Sequence, residues 1–386
     1  VNAVEVLMWA AIAVIVYAYA GYPLALIALA SARGAARRAA PPVSAQRSAP
    51  PSIAVLVAAH DEERHIAARI RNLLEVDYPA DRLRVLIGSD GSGDGTVAIV
   101  RGFDDPRIVL LDSPLRRGKP AVLNQLAGMA TEEILVLTDA NTLFARDTLR
   151  QLAAHFDDPT VGCVCGELRL TTGAGAENPD GVYWRYERML KAHEARIDAL
   201  QGANGGVYAL RRERFRPVPA NTIVDDFWIS MEVVSAGFRC VYEPRAVATE
   251  EVPPRIRDEF RRRVRIGIGN YQALVRFAPL MHPRHGLRAF AFVSHKVLRW
   301  FVPHLMVVAL LANVALVGQP PYGAMLALQL AFYGLSALAW WRSLSGSAPR
   351  LLRLPLFFVG MNLALLVGFW KFLTGQYSGA WARTER

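Results

Sequence analysis

A chain of 386 residues has room for one large domain or two ordinary ones, and its 53% apolar content and mean hydropathy of +0.20 are high for a water-soluble enzyme. The net charge of +10 fits a phosphate-bearing substrate, an anionic lipid surface or nucleic acid, and nucleic acid is the weakest of the three because much of the basic excess flanks apolar runs. Three cysteines (163, 165 and 240) without histidines at ligand spacing exclude a four-ligand zinc site and read as buried thiols in a reducing compartment.

From Val6 to Ala32 no side chain is charged, and as a helix these 27 residues exceed the ~30 Å hydrocarbon core of a bilayer. The competing reading, a cleaved signal peptide, calls for a basic start, whereas the first charge here is Glu5. A Pro- and Ser-rich linker, "PPVSAQRSAPPS" at 41–52, then opens a segment of ordinary soluble composition from about 50 to 280. Within it, four apolar runs read as strands: "SIAVLVAA", "LRVLIG", "RIVLL" and "ILVLTD". Helical periodicity follows the first strand, with Ile66, Ile70 and Leu73 on one face, and helices also follow the others. Strands alternating with helices of this size predict right-handed crossovers and a mostly parallel sheet.

Ligands of such sheets sit beyond the carboxyl ends of the strands, where "HDEE", "SDGSGDGT", "RRGK" and "TDANT" fall. "SDGSGDGT" lacks both the dinucleotide fingerprint and the phosphate-loop Lys, so alone it reads equally as a turn with a helix cap at Ser92 or Asp94. "RRGK" brings cations to a helix N-terminus, where backbone N–H groups also favour anions. Asp139 and Asn141 end a buried run with a carboxylate and an amide oxygen, hard ligands for Mg²⁺ or Mn²⁺; the plainer alternative is an Asx turn capping a helix near Arg146. Asp225 and Asp226 precede "FWISMEVVSAG" and can cap that helix or supply a general base.

Further along, Ile256, Phe260, Val264 and Ile268 recur every four residues while Arg257, Arg261 and Arg265 track another face, the pattern of a helix lying on anionic headgroups. A second such element is expected over 284–299. Trp300 to Trp341 contains no Lys, Arg, Asp or Glu and is interrupted only by the turn "GQPPYG" at 318–323, which predicts two membrane helices; Leu354 to Trp370 is at the short limit for a third. Arg33, Arg37, Arg38 and Arg47 after the first span, with Arg342, Arg350 and Arg353 between the last two runs, mark the cytoplasmic side. A spanning final helix would export Arg383 and Arg386, so either the tail lies outside despite its charge or 354–370 does not cross.

The ordered segments "VAAHDEE", "SDGSGDGT", "RRGKPAVLNQ", "TDANT", "GANGGVYALRR" and "VDDFWIS", followed by "FRRRVRIGIGN", resemble those of the membrane-bound family 2 glycosyltransferases, the group of the cellulose, chitin, hyaluronan and poly-N-acetylglucosamine synthases. The resemblance spans about Ser52 to Leu274 and implies a GT-A fold, a Rossmann-like, mostly parallel α/β sheet, with transmembrane and amphipathic interface helices. The expected division is a membrane helix at 1–33, a linker at 34–51, a cytoplasmic GT-A domain at 52–254, interface helices at 255–299, two or three membrane helices at 300–375 and a tail at 376–386.

Carried over by position, the resemblance implies a UDP-sugar donor and inversion at the anomeric carbon. His60, Glu62 and Asp90 would hold the uridine and Lys119 would line the donor site, while Asp139 and Asn141 would hold Mg²⁺ or Mn²⁺ and Asp226 would be the base. Gly205, Gly206, Asp225, Arg262, Arg263 and Arg265 fall on the acceptor side. Three departures stand out: Asn141 replaces an aspartate, Val224 and Asp225 replace Thr-Glu, and 262–266 keeps the arginine of the processive Gln-x-x-Arg-Trp motif without its Gln or Trp. The expected acceptor is therefore a glycan or a lipid-linked molecule in surface polysaccharide synthesis, at an inner membrane, with membrane lipids and a partner subunit or second copy as possible associates and no nucleic acid. The alternative is a non-catalytic sugar-nucleotide sensor or scaffold. A solute transporter fails for want of buried charge in the spans, and a nicotinamide dehydrogenase for want of the glycine fingerprint.

Overall fold

The computed structural model describes residues 2–37, 49–171, 181–251, 256–344 and 352–377. The greater part of the linker (38–48), Pro254, Arg350 and the tail from 378, with Arg383 and Arg386, lie outside the described residues. Two compact units emerge: a helical one holding the described residues within Val1–Ile27, Arg255–Met281 and Phe292–Tyr377, and a sheet-centred one holding those within Ala28–Pro254 and His282–Ala291.

The chain opens with α1 (Ala3–Val16), started by a reciprocal cap in which Asn2 Oδ1 accepts the Val4 N–H and Glu5 accepts the Asn2 N–H. A π-helical turn (Tyr17–Gly21) joins it to α2 (Tyr22–Arg37), giving one continuous apolar helix over Ala3–Arg33.

The sheet unit contains β1 (Ile53–Ala59), α3 (Ile66–Leu74), β2 (Leu83–Asp90), α4 (Thr96–Arg101), β3 (Ile108–Ser113), α5 (Lys119–Met129), β4 (Ile134–Asp139) and β5 (Thr142–Phe144). It continues with α6 (Thr148–Ala153), β6 (Val161–Thr171), α7 (Gly181–Arg196), β7 (Tyr208–Arg211), α8 (Asp225–Ser235) and β8 (Arg239–Glu251). Strand order is β3-β2-β1-β4-β7-β6-β8-β5, with β3, β2, β1 and β4 parallel. β7 runs antiparallel to both neighbours, β6 and β8 are parallel, and β5 is antiparallel to β8. Every residue of β1 is buried, as expected for a strand paired on both edges and covered on both faces.

Register fixes the functional rim. Ala59 lies opposite Ser89 and Ala58 opposite Asp139, so the chain leaves β1, β2 and β4 at one edge of the sheet. Because β7 is antiparallel, with Tyr208 opposite Leu137, the loop before it arrives at that same edge.

The helical unit adds α9 (Ile256–Phe277), and later helices are α10 (Leu287–Ala291), α11 (Leu298–Ala315), α12 (Tyr322–Leu344) and α13 (Arg353–Leu373). Among the described residues, four helices are long and apolar enough to cross a membrane: Ala3–Arg33, Leu287–Ala315, Tyr322–Arg342 and Leu354–Leu373. The second starts within the 284–299 segment expected to hold an interface element: from Leu287 the chain is one helix, passing through a π-helical turn at Phe292–Val297 into α11. Helices α9 and α13 meet backbone to backbone: a Cβ on Gly368 would stand 3.0 Å from the Gly267 Cα and carbonyl carbon.

Candidate active site

Two loops at the rim are stapled together. Asp61, at φ +53, accepts the Gly93 N–H through Oδ1 (2.8 Å), and its own N–H donates to Ser92 Oγ (3.2 Å). Glu63 accepts the Gly95 N–H (3.0 Å) while Asp94 accepts the Glu63 N–H (3.1 Å), and Glu62 N–H donates to Thr96 Oγ1 (2.8 Å). Carboxylates on each loop thus consume the open N–H groups of the other. Asp94 Oδ1 also accepts the Thr96 N–H (3.0 Å) in the turn that leads into α4, whose N-cap position is Gly95 and carries no side-chain cap, so neither Ser92 nor Asp94 is the helix cap that the sequence offered as an alternative.

Asp90, at the end of β2, is fully buried, and its two oxygens accept the N–H groups of Arg117 (2.6 Å) and Gly118 (2.8 Å). Gly118, at φ +90, makes the turn that permits this and delivers Lys119 to the first position of α5, where Pro120 is tolerated because no helical N–H is needed. His60 Nδ1 lies 2.8 Å from the Asp90 carbonyl oxygen. Asp90 therefore anchors the basic loop, and His60 packs beside it.

Lys119 is the hub. Its Nζ stands 2.7 Å from Asp139 Oδ1 and 3.3 Å from Asp225 Oδ2. Burial works against the ammonium, but Asp139, Asp225 and Asp226 more than offset it, so its pKa is raised. The expectation that Asp225 could cap its helix is not met: α8 begins without a side-chain cap, and the Asp225 carboxylate goes to Lys119. Asp226 is pushed up to about 6, first by burial and then by the charge of Asp225, while Lys119 and the Phe227 N–H (2.8 Å) pull the other way. Gly205 closes over this carboxyl: a Cβ there would lie 3.1 Å from Asp226 Oδ2.

The residues paired as metal ligands flank the β4–β5 turn. Asp139 is one-third exposed, and Asn141 Nδ2 donates to Glu250 Oε1 (3.3 Å). Among the described residues no group of three or more His, Cys, Asp and Glu is arranged to hold a metal ion. One carboxylate and one amide oxygen nonetheless suit Mg²⁺ or Mn²⁺, which commonly complete their shell with phosphate and water. The helix-cap alternative for Asn141 is excluded, since the chain enters β5 at Thr142.

Arg262 and Arg263 belong to the helical unit, where both pair with Glu259 (3.3 and 2.5 Å), and Arg265 lies on the same helix. Around the loop that precedes β7, the sheet unit holds a polar cluster that the sequence did not single out. Lys191 Nζ donates to Asn204 Oδ1, Asn204 Nδ2 donates to the Gly166 carbonyl (3.1 Å), Arg188 pairs with Glu167 (2.9 Å), and the Tyr242 hydroxyl donates to Glu167. The Tyr208 hydroxyl is buried near Asp225, Asp226 and Asp139, without a hydrogen-bond partner among the described residues. The signal for these was their spacing around "GANGG", which marks a loop but not which helix faces it. The three cysteines are buried and free.

Residues 50–269 match the model of the glycosyltransferase like family 2, and the chain belongs to that family. It is therefore a transferase with a GT-A-like domain, joined to helices of membrane-spanning length. Similar curated proteins include an N-acetylglucosaminyltransferase of Rhizobium meliloti, 25% identical over 295 residues, covering 72% of this chain and 68% of that one. The poly-beta-1,6-N-acetyl-D-glucosamine synthase of Staphylococcus aureus is 23% identical over 58% of this chain and 56% of its own length. With several of its curated relatives, then, the chain spans little more than half their length. Among solved structures, the mannosyltransferase PcManGT of Pyrobaculum calidifontis, in complex with GDP-Man and Mn²⁺, superposes with a TM-score of 0.71 at 25% identity, covering 96% of this chain and 99% of that one.

Proposed function

We propose that the protein is a membrane-integrated inverting glycosyltransferase that moves a sugar from a UDP-sugar to a glycan or lipid-linked acceptor in surface polysaccharide synthesis. The observation that carries this reading is the convergence of Asp139, Asp225 and Asp226 on Lys119 at the rim that Asp90 also organises. The names of the N-acetylglucosaminyltransferase and poly-N-acetylglucosamine synthase relatives support the product class. The GDP-Man complex of the structural neighbour makes the nucleotide a point for experiment.

In this reading the turn at 60–62 and the loop anchored by Asp90 form the nucleoside subsite, with Lys119 beside the diphosphate. Asp139 and Asn141 would hold a divalent cation, which when bound supplies positive charge against the diphosphate. An acceptor hydroxyl attacks the anomeric carbon from the face opposite the diphosphate. As the new C–O bond forms, the bond to the diphosphate oxygen breaks, and the hydroxyl proton passes to Asp226. Lys119 stabilises the charge that accumulates on the leaving diphosphate, so no acid is needed there. The raised pKa of Asp226 makes it a better base than an ordinary carboxylate while leaving it ionised at neutral pH.

The arginines around the spans support a cytoplasmic catalytic unit at an inner membrane, with the 318–323 turn outside. The test is donor turnover by purified protein in lipid: Mn²⁺- or Mg²⁺-dependent release of UDP from a UDP-sugar is expected, and Asp226→Asn should abolish turnover while UDP still binds. A GDP-sugar turned over in place of every UDP-sugar would reassign the donor.

A further inference from the structure

We infer that Arg69 is a positioning residue for the transfer reaction: a buried guanidinium that ties the donor-side turn to the acceptor-side loop and places positive potential beneath the diphosphate subsite. The inference rests on the reading of Asp139 as a donor-side residue. Arg69 lies on α3 with no exposed surface. Its Nη1 donates to Asn72 Oδ1 (2.8 Å), its Nη2 to Thr138 Oγ1 (2.8 Å), and its guanidinium carbon sits 4.1 Å from the centre of the Phe144 ring. Nε has no hydrogen-bond partner among the described residues.

Each of these contacts is with a neutral group, and burying a cation without a paired carboxylate is costly. A hydrophobic side chain would fill the space under Phe144 without that cost, so packing alone does not account for the charge. The network around Arg69 does. Thr138, which it grips, immediately precedes Asp139, and Thr138 Oγ1 donates onward to the Gly206 carbonyl oxygen (2.7 Å). Gly206 is the neighbour of Gly205, which lies against the Asp226 carboxyl. Asn72, the other partner, brackets β5 by accepting the Phe144 N–H (2.7 Å) and donating to the Phe144 carbonyl (2.9 Å). One side chain thus grips the residue before Asp139 and, through Asn72, the end of the strand that follows Asn141, and through the Thr138 hydroxyl it reaches the loop over Asp226. The carboxylate whose charge it feels most is that of Asp139. Lysine cannot replace it, having neither the planar fork that reaches two acceptors nor the flat face that stacks on Phe144.

The sign of the charge gives a readout that a purely structural role would not produce. A cation beneath the site attracts the diphosphate and repels the metal. In Arg69→Met, UDP affinity should fall roughly tenfold, the scale of one charge interaction across a partly buried site, while Mn²⁺ affinity measured without nucleotide should be unchanged or tighter. Arg69→Lys should recover most of the UDP affinity yet keep a lowered kcat, because the tie to Gly206 is lost. Calorimetry of UDP and of Mn²⁺ on full-length protein in lipid nanodiscs, with thermal unfolding in parallel, decides it. Parallel weakening of both ligands, or UDP affinity and kcat within twofold of wild type, would overturn the inference. If wild-type protein bound UDP and Mn²⁺ but transferred no sugar, the transferase reading would fail, and the opposed signs in Arg69→Met would still decide this one.

Discussion

At Lys119 one ammonium answers three carboxylates, and this is where a single substitution is most informative. Lys119→Met leaves Asp139 and Asp225 facing each other without their shared cation, and the expected loss is about 3 kcal/mol of stability together with near-complete loss of turnover. Thermal unfolding and donor turnover measure the two effects separately. For Asp226 the pH dependence follows from the sign of its shift. The base works only when deprotonated, so kcat/KM should hold a plateau above about pH 6 and fall tenfold per unit below it. Because the Asp225 charge helps raise that pKa, Asp225→Asn should move the acid limb to lower pH in whatever activity remains. Linkage gives a second sign: a carboxyl with a raised folded pKa loses stability as pH rises from its unfolded value through the folded one. Near neutral pH, Asp226→Asn should therefore unfold at the same or a higher temperature than wild type. Asp139, Asn141 and Asp226 were legible as candidates because each follows or precedes an apolar run, where a polar side chain has no packing role. Arg69 was not, because an arginine three residues into an amphipathic helix reads as a solvated position, and only the fold shows that position covered by Phe144. Asp225 was read as a helix cap or an acceptor-side residue, since acidic residues favour helix starts; its partner, Lys119, is more than a hundred residues away in sequence and invisible to local rules.

Among the elements, the parallel core strands were readable from unbroken apolar runs, which is what burial on two faces requires. The later strands β6, β7 and β8 were not singled out: β8 alternates buried and exposed positions and carries Glu243, Arg245 and Glu250, so no apolar run marks it. The second membrane-length helix begins at Leu287, ahead of the Trp300 boundary read from the sequence, because charge counting finds where Lys and Arg stop, not where a helix starts; Arg288, Lys296 and Arg299 lie within the helix itself. At the crossing of α9 and α13, the approach of Gly267 to Gly368 leaves no room for a side chain. Gly368→Leu should force the helices apart and cost about 2 kcal/mol, seen as a lower unfolding temperature in lipid. A loss near zero would mean the crossing is slack.

For the molecule as a whole, the glycosyltransferase domain and the apolar helices were both legible from the order of segments and the placement of charge, because each reflects a long-range constraint: loops that must share a sheet rim, and helices that must match a bilayer. Orientation rests on arginines, and introduced cysteines test it. Gln319→Cys, in the turn before α12, should react with an impermeant thiol reagent from outside intact cells, and labelling from the cytoplasmic side alone would reverse the topology. The most direct test of the central claim is nucleotide release by purified protein in lipid, with a panel of UDP-sugars and Mn²⁺, for wild type and Asp226→Asn side by side. The account predicts turnover with at least one donor, lost by at least about a hundredfold in the variant while UDP affinity persists. Wild-type turnover retained by Asp226→Asn, or UDP bound without turnover of any donor, would contradict it.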